Sequence, residues 1–334
     1  MTKPVAGRNK TRTEGTDAMT DRSVLVAGEA LIDFIPDDTG PISAVETFHR
    51  RPGGAPTNVA VGLARLGETP WLCTTLSTDP FGEVLAETLA GEEIPEKYIT
   101  YADNPTALAF VSHGADADRS FSFHREQTAD TVLETDVVDT ATLQRLDWLV
   151  VGGVTLSAEP SRSATFELVE RAREAGCGIV FDPNTRPELW RTDDMTFTIE
   201  RMLRWTDVLK ATKEDFEPTA ISTDGEFVDR LREYGPQLVL LTEGKSGVRA
   251  VGGPASPWGV GEWTHPGYEL DSVVDTTGAG DGFLAGAVAA LADGNGPDET
   301  LAFANAVAGL STTEPGAMNA LPDRPAVELF RADQ

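Results

Sequence analysis

The segment Asp275–Phe283 reads DTTGAGDGF and runs directly into residues 280–291, whose small and apolar side chains predict a buried helix. Glycine at a helix N-terminus lets backbone N–H groups approach a ligand closely, and the helix dipole attracts an anion to the same point. Asp281 falls in the first turn, where its carboxylate would repel a phosphate but could take a proton from an attacking hydroxyl. The segment therefore predicts a phosphoryl-transfer site. The alternative is a glycine-rich turn in which Asp281 only complements the helix dipole.

Before this segment, short apolar runs alternate with amphipathic stretches, which is typical of a parallel sheet flanked by helices. The apolar runs predict strands at 24–27, 71–76, 148–151, 178–181, 208–209 and 238–241. The amphipathic stretches predict helices at 58–66, 83–89 and 161–175. We therefore expect one α/β domain over residues 23–330.

Two stretches, at about 34–52 and 104–125, interrupt this alternation with period-two patterning and turn residues. In Phe121-Ser122-Phe123, for example, apolar and polar side chains alternate. We expect antiparallel strands here, which form a small sheet that covers the site as a lid. Because exposed sheet edges can pair with a second copy, the same strands predict a homodimer.

The sequence is strongly acidic. Its 54 Asp and Glu outnumber 27 Lys and Arg, of which only six are Lys, and the net charge is −27. A general nucleic-acid-binding protein needs a basic face, so this composition argues against that class. No apolar run approaches the roughly 20 residues of a membrane span. A lysine-poor acidic surface is typical of proteins kept soluble in concentrated salt, so we expect a halophilic protein, with an ordinary acidic protein as the alternative.

Residues 1–22 are polar and basic, and no apolar core of a secretory signal follows them. We expect a disordered N-terminal tail there. The two cysteines, Cys73 and Cys177, lie far apart without CxxC spacing, so they cannot alone form a disulfide framework or a zinc site. We interpret both as core thiols of a cytoplasmic protein.

Five stretches of sequence, including the segment at 275–283, occur in the order in which a known family carries them. They are GEALIDFIP at 28–36, GGAPTNVAVGLARLG at 53–67, FDPNTRPELW at 181–190, DTTGAGDGF at 275–283 and ANAVAGLSTTEPGA at 304–317. On these motifs the chain resembles the ribokinase-like (PfkB) carbohydrate kinases, and their fructokinase branch most closely, from Val24 to about Arg324. The resemblance implies a ribokinase-like α/β fold, with a mainly parallel central sheet flanked by helices and a small β-sheet lid. It also implies an enzyme that transfers the γ-phosphoryl group of ATP to a sugar hydroxyl.

The resemblance implies roles for residues of these motifs. Asp281 would be the general base. The charge on the transferred phosphoryl group would be stabilised by the backbone N–H groups of Gly278, Ala279 and Gly280. The sugar-binding residues implied in the same way are Asp33, Gly53, Gly54, Asn58, Arg125 and Arg186. From the residues alone, Asn58 could equally cap the helix at Val59, and Arg125 could form a surface ion pair.

For the nucleotide, the resemblance implies contacts with Asn184, Lys210, Thr242, Gly244, Gly247 and Asn305. The family often carries an Asn-x-x-Glu element that organises Mg²⁺, and the matching stretch here is Thr212-Lys213-Glu214-Asp215. Mg²⁺ is still expected, because phosphoryl transfer from ATP needs its charge, with Asp215 or Glu214 as the organising residue. Asp275 and the loop at 311–316 could frame a monovalent-cation site for K⁺, as in some relatives.

The choice of sugar depends on a few side chains. Asp33 favours a neutral hexose, because relatives that act on an acidic sugar tend to lack a carboxylate there, and the resemblance of GEALIDFIP and FDPNTRPELW to fructokinases implies D-fructose. Arg125 and Arg186 leave 2-keto-3-deoxygluconate open, because arginines suit a carboxylate. Phe121 and Phe123 leave a nucleoside kinase open, and ketohexokinase and ribokinase are further alternatives. A catalytically silent sugar or nucleotide sensor is the alternative outside enzymes.

Overall fold

The computed structural model describes residues 22–37, 40–113, 119–190 and 194–334, so the expected tail before residue 22 lies outside the described residues. The strands are β1 (Val24–Ala27), β2 (Leu31–Pro36), β3 (Phe48–Gly53), β4 (Trp71–Ser77), β5 (Ile99–Ala102), β6 (Ala107–His113), β7 (Arg119–His124), β8 (Trp148–Gly152), β9 (Gly178–Asp182), β10 (Val208–Ala211), β11 (Leu238–Thr242), β12 (Val248–Gly252) and β13 (Gly261–His265). The helices are α1 (Ala55–Arg65), α2 (Pro80–Gly91), α3 (Thr140–Leu143), α4 (Ser161–Ala175), α5 (Met195–Leu203), α6 (Phe227–Tyr234), α7 (Ala279–Ala292), α8 (Pro297–Leu310) and α9 (Arg324–Ala332).

The large sheet has the strand order β13-β12-β11-β10-β9-β8-β1-β4-β5, and it is parallel from β11 to β5. Beyond β11, the pairings of β11 with β12 and of β12 with β13 are antiparallel. Along β1, Val24 and Val26 face a core shared with α1, α7 and α8, whereas Leu25 faces a core shared with α4, α5 and α6. Because the large sheet is buried on both faces, its strands have nearly continuous apolar runs. The predicted α/β fold class is confirmed.

The small sheet has the order β3-β2-β6-β7 and is built from two hairpins. Within each hairpin the strands are antiparallel, as expected, but β2 and β6 pair in parallel, which the sequence did not predict. Phe34 on β2 stacks on Phe110 on β6 with ring centroids 4.7 Å apart, which fixes the hairpins side by side. β2 begins only four residues after β1 ends, so the small sheet is joined directly to the carboxyl edge of the large sheet.

Helices α7 and α8 pack against each other unusually closely. A Cβ on Gly286 would lie 2.9 Å from the Cα of Ala304, so a glycine is needed at this crossing. This packing holds the N-terminus of α7 at the carboxyl edge of the large sheet. Within the part of the chain that the structure describes, no helix has both the length and the apolar character to cross a membrane.

Candidate active site

A cavity of about 300 Å³ opens between the small sheet and the carboxyl edge of the large sheet. This volume lies at the lower end of the range for small-molecule sites, about 300 to 1,000 Å³. The predicted residues that line it are Asp33, Gly54, Asn58, Asn184, Arg186, Lys210, Gly278, Gly280 and Asp281. They come from both sheets and from the N-terminal turns of two helices, so the fold itself brings them together.

Asp281 lies in the first turn of α7 and is 9% exposed. Its Oδ2 accepts a hydrogen bond of 2.8 Å from Nδ2 of Asn58. Burial raises the pKa of Asp281, while the Asn58 hydrogen bond and the charges of Lys210 and Arg186 act in the opposite direction. A carboxylate with a raised pKa and a fixed orientation is suited to accepting a proton.

The N-terminus of α7 reaches the cavity at Gly278, which is the N-cap and adopts a left-handed φ of 80°. A Cβ at this position would lie 2.7 Å from the Cα of Ala317, so glycine is required both for the backbone angle and for the close approach. Gly278 and Gly280 line the cavity, whereas the N–H of Ala279 donates to the carbonyl of Thr276 at 3.3 Å. Of the three residues expected to stabilise an anion, Gly278 and Gly280 therefore lie at the cavity, whereas the N–H of Ala279 is already engaged.

Lys210 on β10 lies behind this helix terminus. Its Nζ donates to Oδ2 of Asp182 at 3.0 Å, and both side chains are buried. A Cβ on Gly280 would lie 3.1 Å from Nζ, so the ammonium group is in direct contact with the first turn of α7. Burial opposes the charge, but the pKa of Lys210 is raised because Asp182, Asp215 and Asp281 surround it. Lys210 thus adds a fixed positive charge to the positive end of the helix.

Asp33 on β2 faces the cavity from the small sheet. Burial raises its pKa to about 7, the charge of Asp281 adds to this effect, and Arg186 opposes it. A Cβ on Gly53 would lie 2.1 Å from Oδ2 of Asp33, so Gly53 contributes the room that this carboxyl group occupies. Gly53 therefore makes space for Asp33 and does not itself line the cavity.

Gly54 and Asn58 belong to the start of α1. Gly54 is the N-cap, with a φ of 104°, and a Cβ there would lie 2.4 Å from the carbonyl oxygen of Glu29. Asn58 lies inside the helix, so it is not the N-cap that the sequence left open. Among the described residues, its buried Oδ1 has no hydrogen-bond partner. Asn58 therefore holds Asp281 with one end of its amide and keeps an acceptor available with the other.

The two predicted arginines are placed differently. Arg186 lines the cavity, and its guanidinium carbon lies 5.4 Å from the centre of the Phe121 ring on β7. Arg125 does not line the cavity, which differs from the expectation that both arginines point into it. Its Nε donates to Asp130 and its Nη1 to Oγ of Ser157 at 2.7 Å. This ion pair is buried rather than at the surface and ties the chain after β7 to the core, while Nη2 of Arg125 has no hydrogen-bond partner among the described residues.

Of the residues expected to bind the nucleotide, Asn184 and Lys210 line the cavity. The others lie outside its wall. Thr242 donates to the carbonyl of Ala211 at 3.3 Å, and the side chain of Asn305 is 3.1 Å from Nδ1 of His265. The remaining two expected nucleotide residues are Gly244 and Gly247. Both lie in the turn between β11 and β12, and both have a positive φ.

The expected metal residues are engaged in local contacts. Asp215 is buried and accepts hydrogen bonds from the backbone and hydroxyl of Thr212 at 2.8 and 3.0 Å, whereas Glu214 is exposed. Asp275 accepts from the N–H groups of Thr277 and Gly316, both at 2.8 Å. It thereby joins the segment before α7 to the loop after α8. Across the described ranges, no three His, Cys, Asp or Glu side chains gather in a way that could hold a metal ion.

Two buried acids at the site were missed in the sequence. Asp182 is the last residue of β9, and Glu29 follows Gly28 directly after β1 and lines the cavity. A charged residue that ends or follows a buried parallel strand is the signal that could have found them, because ligands bind at this edge of an α/β sheet.

Comparisons of the sequence and of the fold with known proteins identify the same family. Residues 21–324 match the family described as pfkB family carbohydrate kinase. The chain is 36% identical to the fructokinase of Salmonella typhimurium over 310 residues, which are 90% of this chain and 96% of that protein. Its fold is similar to that of an ATP-bound fructokinase from Xylella fastidiosa, at 28% identity and a TM-score of 0.81, over 94% of this chain and 99% of the other. A fructokinase double mutant from Vibrio cholerae O395, bound to fructose, ADP and potassium, gives 29% identity and a TM-score of 0.80 over 93% and 98%. On this evidence the chain belongs to the pfkB family of carbohydrate kinases.

Proposed function

We propose that the protein is a fructokinase, which transfers the γ-phosphoryl group of ATP to a hydroxyl of D-fructose. The observation that carries the proposal is the buried carboxylate of Asp281, held by Asn58 at the N-terminus of α7, in a cavity that also contains Asp33. The fructokinases among the relatives support fructose as the acceptor. Solved fructokinases with ATP, or with fructose and ADP, support the same pair of ligands.

In the proposed reaction, Asp281 takes the proton of the sugar hydroxyl as its oxygen attacks the γ-phosphorus. The bond from this phosphorus to the bridging oxygen breaks, and ADP leaves with the bonding electrons. The helix terminus at Gly278 and Gly280 and the ammonium group of Lys210 stabilise the negative charge on the phosphoryl oxygens. Asn58 keeps the base oriented throughout.

A neutral sugar fits the cavity better than a sugar acid. Arg125 is bonded to Asp130 and Ser157, which leaves Arg186 as the one predicted arginine among the lining residues that the structure describes. Asp33, an acidic residue, lines the same cavity as Arg186. Arg186 donates hydrogen bonds, while Asp33 and Oδ1 of Asn58 accept them, and such a set suits sugar hydroxyls.

For the nucleotide, we propose contacts with Asn184, Lys210, Thr242, Gly244, Gly247 and Asn305. Mg²⁺ is commonly bound through one or two carboxylates together with substrate phosphates, which fits the lack of a three-ligand cluster in the described ranges. Asp215 would hold it rather than the exposed Glu214, and the ion would offset phosphate charge when bound. Asp275 and the loop at 311–316 would frame a K⁺ site, a proposal supported by the potassium-bound Vibrio cholerae structure.

At the level of the whole chain, we propose a kinase domain over residues 23–330 whose small sheet, including segments 34–52 and 104–125, closes as a lid to exclude water. The exposed edges of this sheet support a homodimer. A cytoplasmic location would provide ATP, and the buried free thiols of Cys73 and Cys177 agree with it.

The test is an assay of ADP release by the full chain with Mg·ATP in molar KCl, comparing D-fructose, 2-keto-3-deoxygluconate, ribose and adenosine. We expect rapid turnover with fructose and little above the sugar-free control with the other three. A preference for the keto-deoxy acid would mean that Arg186 outweighs Asp33. Turnover of adenosine would assign Phe121 and Phe123 to a nucleoside site, and ligand binding without ADP release would indicate a sensor.

A further inference from the structure

Glu29 is a buried acid of the cavity that the proposed reaction does not use. It lies between β1 and β2, is 2% exposed, and belongs to the cavity wall together with Asp33 and Asp281. Its backbone is fixed, because its carbonyl accepts a hydrogen bond of 2.8 Å from Oγ1 of Thr57 and packs against Gly54. The side chain is therefore presented to the site from a rigid part of the fold.

The carboxyl group of Glu29 is only partly satisfied within the described part of the chain, where its own backbone hydrogen bond lowers its pKa. Its Oε2 is enclosed and makes no hydrogen bond there. The positive charge that acts on it most is Arg125, whose Nε donates to Asp130 and whose Nη1 donates to Ser157, while its buried Nη2 makes no hydrogen bond in the same part of the chain. An unpaired polar group in the interior is costly unless a ligand satisfies it, so such a group at a cavity wall points to a ligand.

The protonation state of Glu29 decides what it could offer a ligand. Burial raises its pKa to about 8, with Arg125 lowering it and Asp130 and Asp281 raising it further. At neutral pH the group is therefore mostly a neutral carboxylic acid, which carries an O–H donor. Oδ1 of Asn58, on the same cavity wall, is an acceptor without a partner in the described residues, so a donor at Glu29 would complement it toward sugar hydroxyls.

We propose that Glu29 is a further specificity-determining residue of the acceptor site, and that its neutral carboxyl group donates a hydrogen bond to a hydroxyl of the bound sugar. This rests on the proposed function, because it takes the cavity to be the sugar site. The contact would discriminate among sugars that share the same reacting hydroxyl, since an analogue without the contacted group would leave a buried donor unpaired.

The first experiment compares sugar and ATP binding by the full chain and two variants, using calorimetry. Glu29→Gln keeps a donor of similar size, and we expect its Kd for D-fructose to stay within about 3-fold of the wild type. Glu29→Met keeps the length but has no donor, and we expect a Kd about 10-fold higher, the effect of a typical hydrogen bond. The Kd for ATP and the melting temperature should change little in either variant. Equal weakening of ATP and sugar would indicate a purely structural residue and overturn the proposal.

A second experiment uses deoxy- and deoxyfluoro-fructoses, each altered at one carbon. At the contacted position, removing the hydroxyl should weaken binding to the wild type about 10-fold and leave binding to Glu29→Met unchanged. Fluorine accepts but cannot donate, so the fluoro analogue should bind the wild type better than the deoxy analogue there. If the two bind alike, Glu29 is not a donor.

The wild type alone also tests the proposal if Glu29→Met does not fold. A wild type that binds every deoxy analogue as tightly as fructose would overturn the Glu29 contact while leaving fructokinase activity intact. A wild type that neither binds nor phosphorylates fructose would instead overturn the proposed function, and the Glu29 contact with it. The two failures are therefore distinct.

Discussion

Asn58 joins the proposed base and the proposed sugar site through a single amide. Its Nδ2 donates to Asp281, and its Oδ1 is a buried acceptor without a partner in the described residues. Since the hydrogen bond favours the ionised form of Asp281, Asn58 both orients the base and opposes the effect of burial on its pKa. The side chain therefore lowers the pH at which the base becomes active.

We expect Asn58→Ala to move the acid limb of the pH profile of kcat to higher pH. A general base must be ionised, so kcat falls as the pH falls through the pKa of Asp281. Removing the hydrogen bond removes an influence that lowers this pKa, so the loss should begin at a higher pH than in the wild type. The measurement is kcat against pH at saturating sugar and ATP. Asn104→Ala, which removes an exposed hydrogen bond to the carbonyl of Gln127, is the control. An acid limb that stays in place would contradict the role of Asn58.

The sequence predicted the placement of some site residues correctly but could not distinguish others, because their contacts depend on the folded chain. Gly278 and Asp281 occur in one short segment whose geometry is local, so their proximity could be predicted. Arg125 and Arg186 both follow strands and look alike in the sequence. What separates them is the burial of Arg125 against Asp130 and Ser157, and the Ser157 contact is made only when distant segments fold together.

Among the secondary-structure elements, the contact between β7 and the carboxyl end of β9 links the small sheet to the large one. Arg186 follows β9, and its guanidinium carbon lies 5.4 Å from the centre of the Phe121 ring. Phe121 also stacks on Phe123, with ring centroids 5.8 Å apart, and both rings line the cavity. This aromatic pair thus forms the part of the cavity wall that the small sheet contributes.

We expect Phe121→Ala to raise the KM for fructose about 2- to 5-fold, the effect of losing a cation–π contact of about 0.5 to 1 kcal/mol. The KM for ATP should change less, because Phe121 contacts Arg186, which is a proposed sugar-binding residue. Steady-state kinetics with each substrate varied in turn measure both values. Phe197→Ala on α5 is the matched control, since Phe197 is 65% exposed and is not a cavity residue. An unchanged KM for fructose would show that the small sheet does not contact the sugar complex through Phe121.

The elements differ in how well the sequence predicted them. The helix expected at 161–175 has the same bounds as α4, because Gly176 adopts a left-handed φ of 87° directly after it. The parallel pairing of β2 with β6 could not be predicted, because it joins strands about 75 residues apart and no local pattern encodes it. The helix α8 was missed although Pro297 and two acidic residues mark its first turn.

For the molecule as a whole, the excess of acidic residues is the dominant electrostatic feature. A net charge of −27 produces self-repulsion that destabilises the compact state at low salt. Dissolved ions screen charges over about 10 Å at 0.1 M and about 3 Å at 1 M, so molar salt should remove most of this repulsion. The buried pair of Lys210 and Asp182 is shielded from the solvent and should be affected far less.

We expect the melting temperature of the full chain to rise as KCl increases from about 0.1 M to about 3 M, because screening relieves the repulsion among surface carboxylates. Thermal unfolding followed by circular dichroism measures the change. NaCl is the control that separates screening from specific binding of K⁺, and both salts should act alike if screening dominates. A melting temperature that is constant or falls with salt would indicate an ordinary acidic protein.

The central claim is that Asp281 removes the proton from the sugar hydroxyl, and the rate of Asp281→Asn tests it most directly. This variant keeps the size of the side chain but cannot accept the proton. With fructose and Mg·ATP at saturation, we predict that kcat falls by about 10² to 10⁴-fold, the usual contribution of a positioned base, while the Kd values for both ligands change little. Asp293→Asn, at the other end of α7, should retain wild-type kcat. A kcat for Asp281→Asn close to that of the wild type would contradict the account.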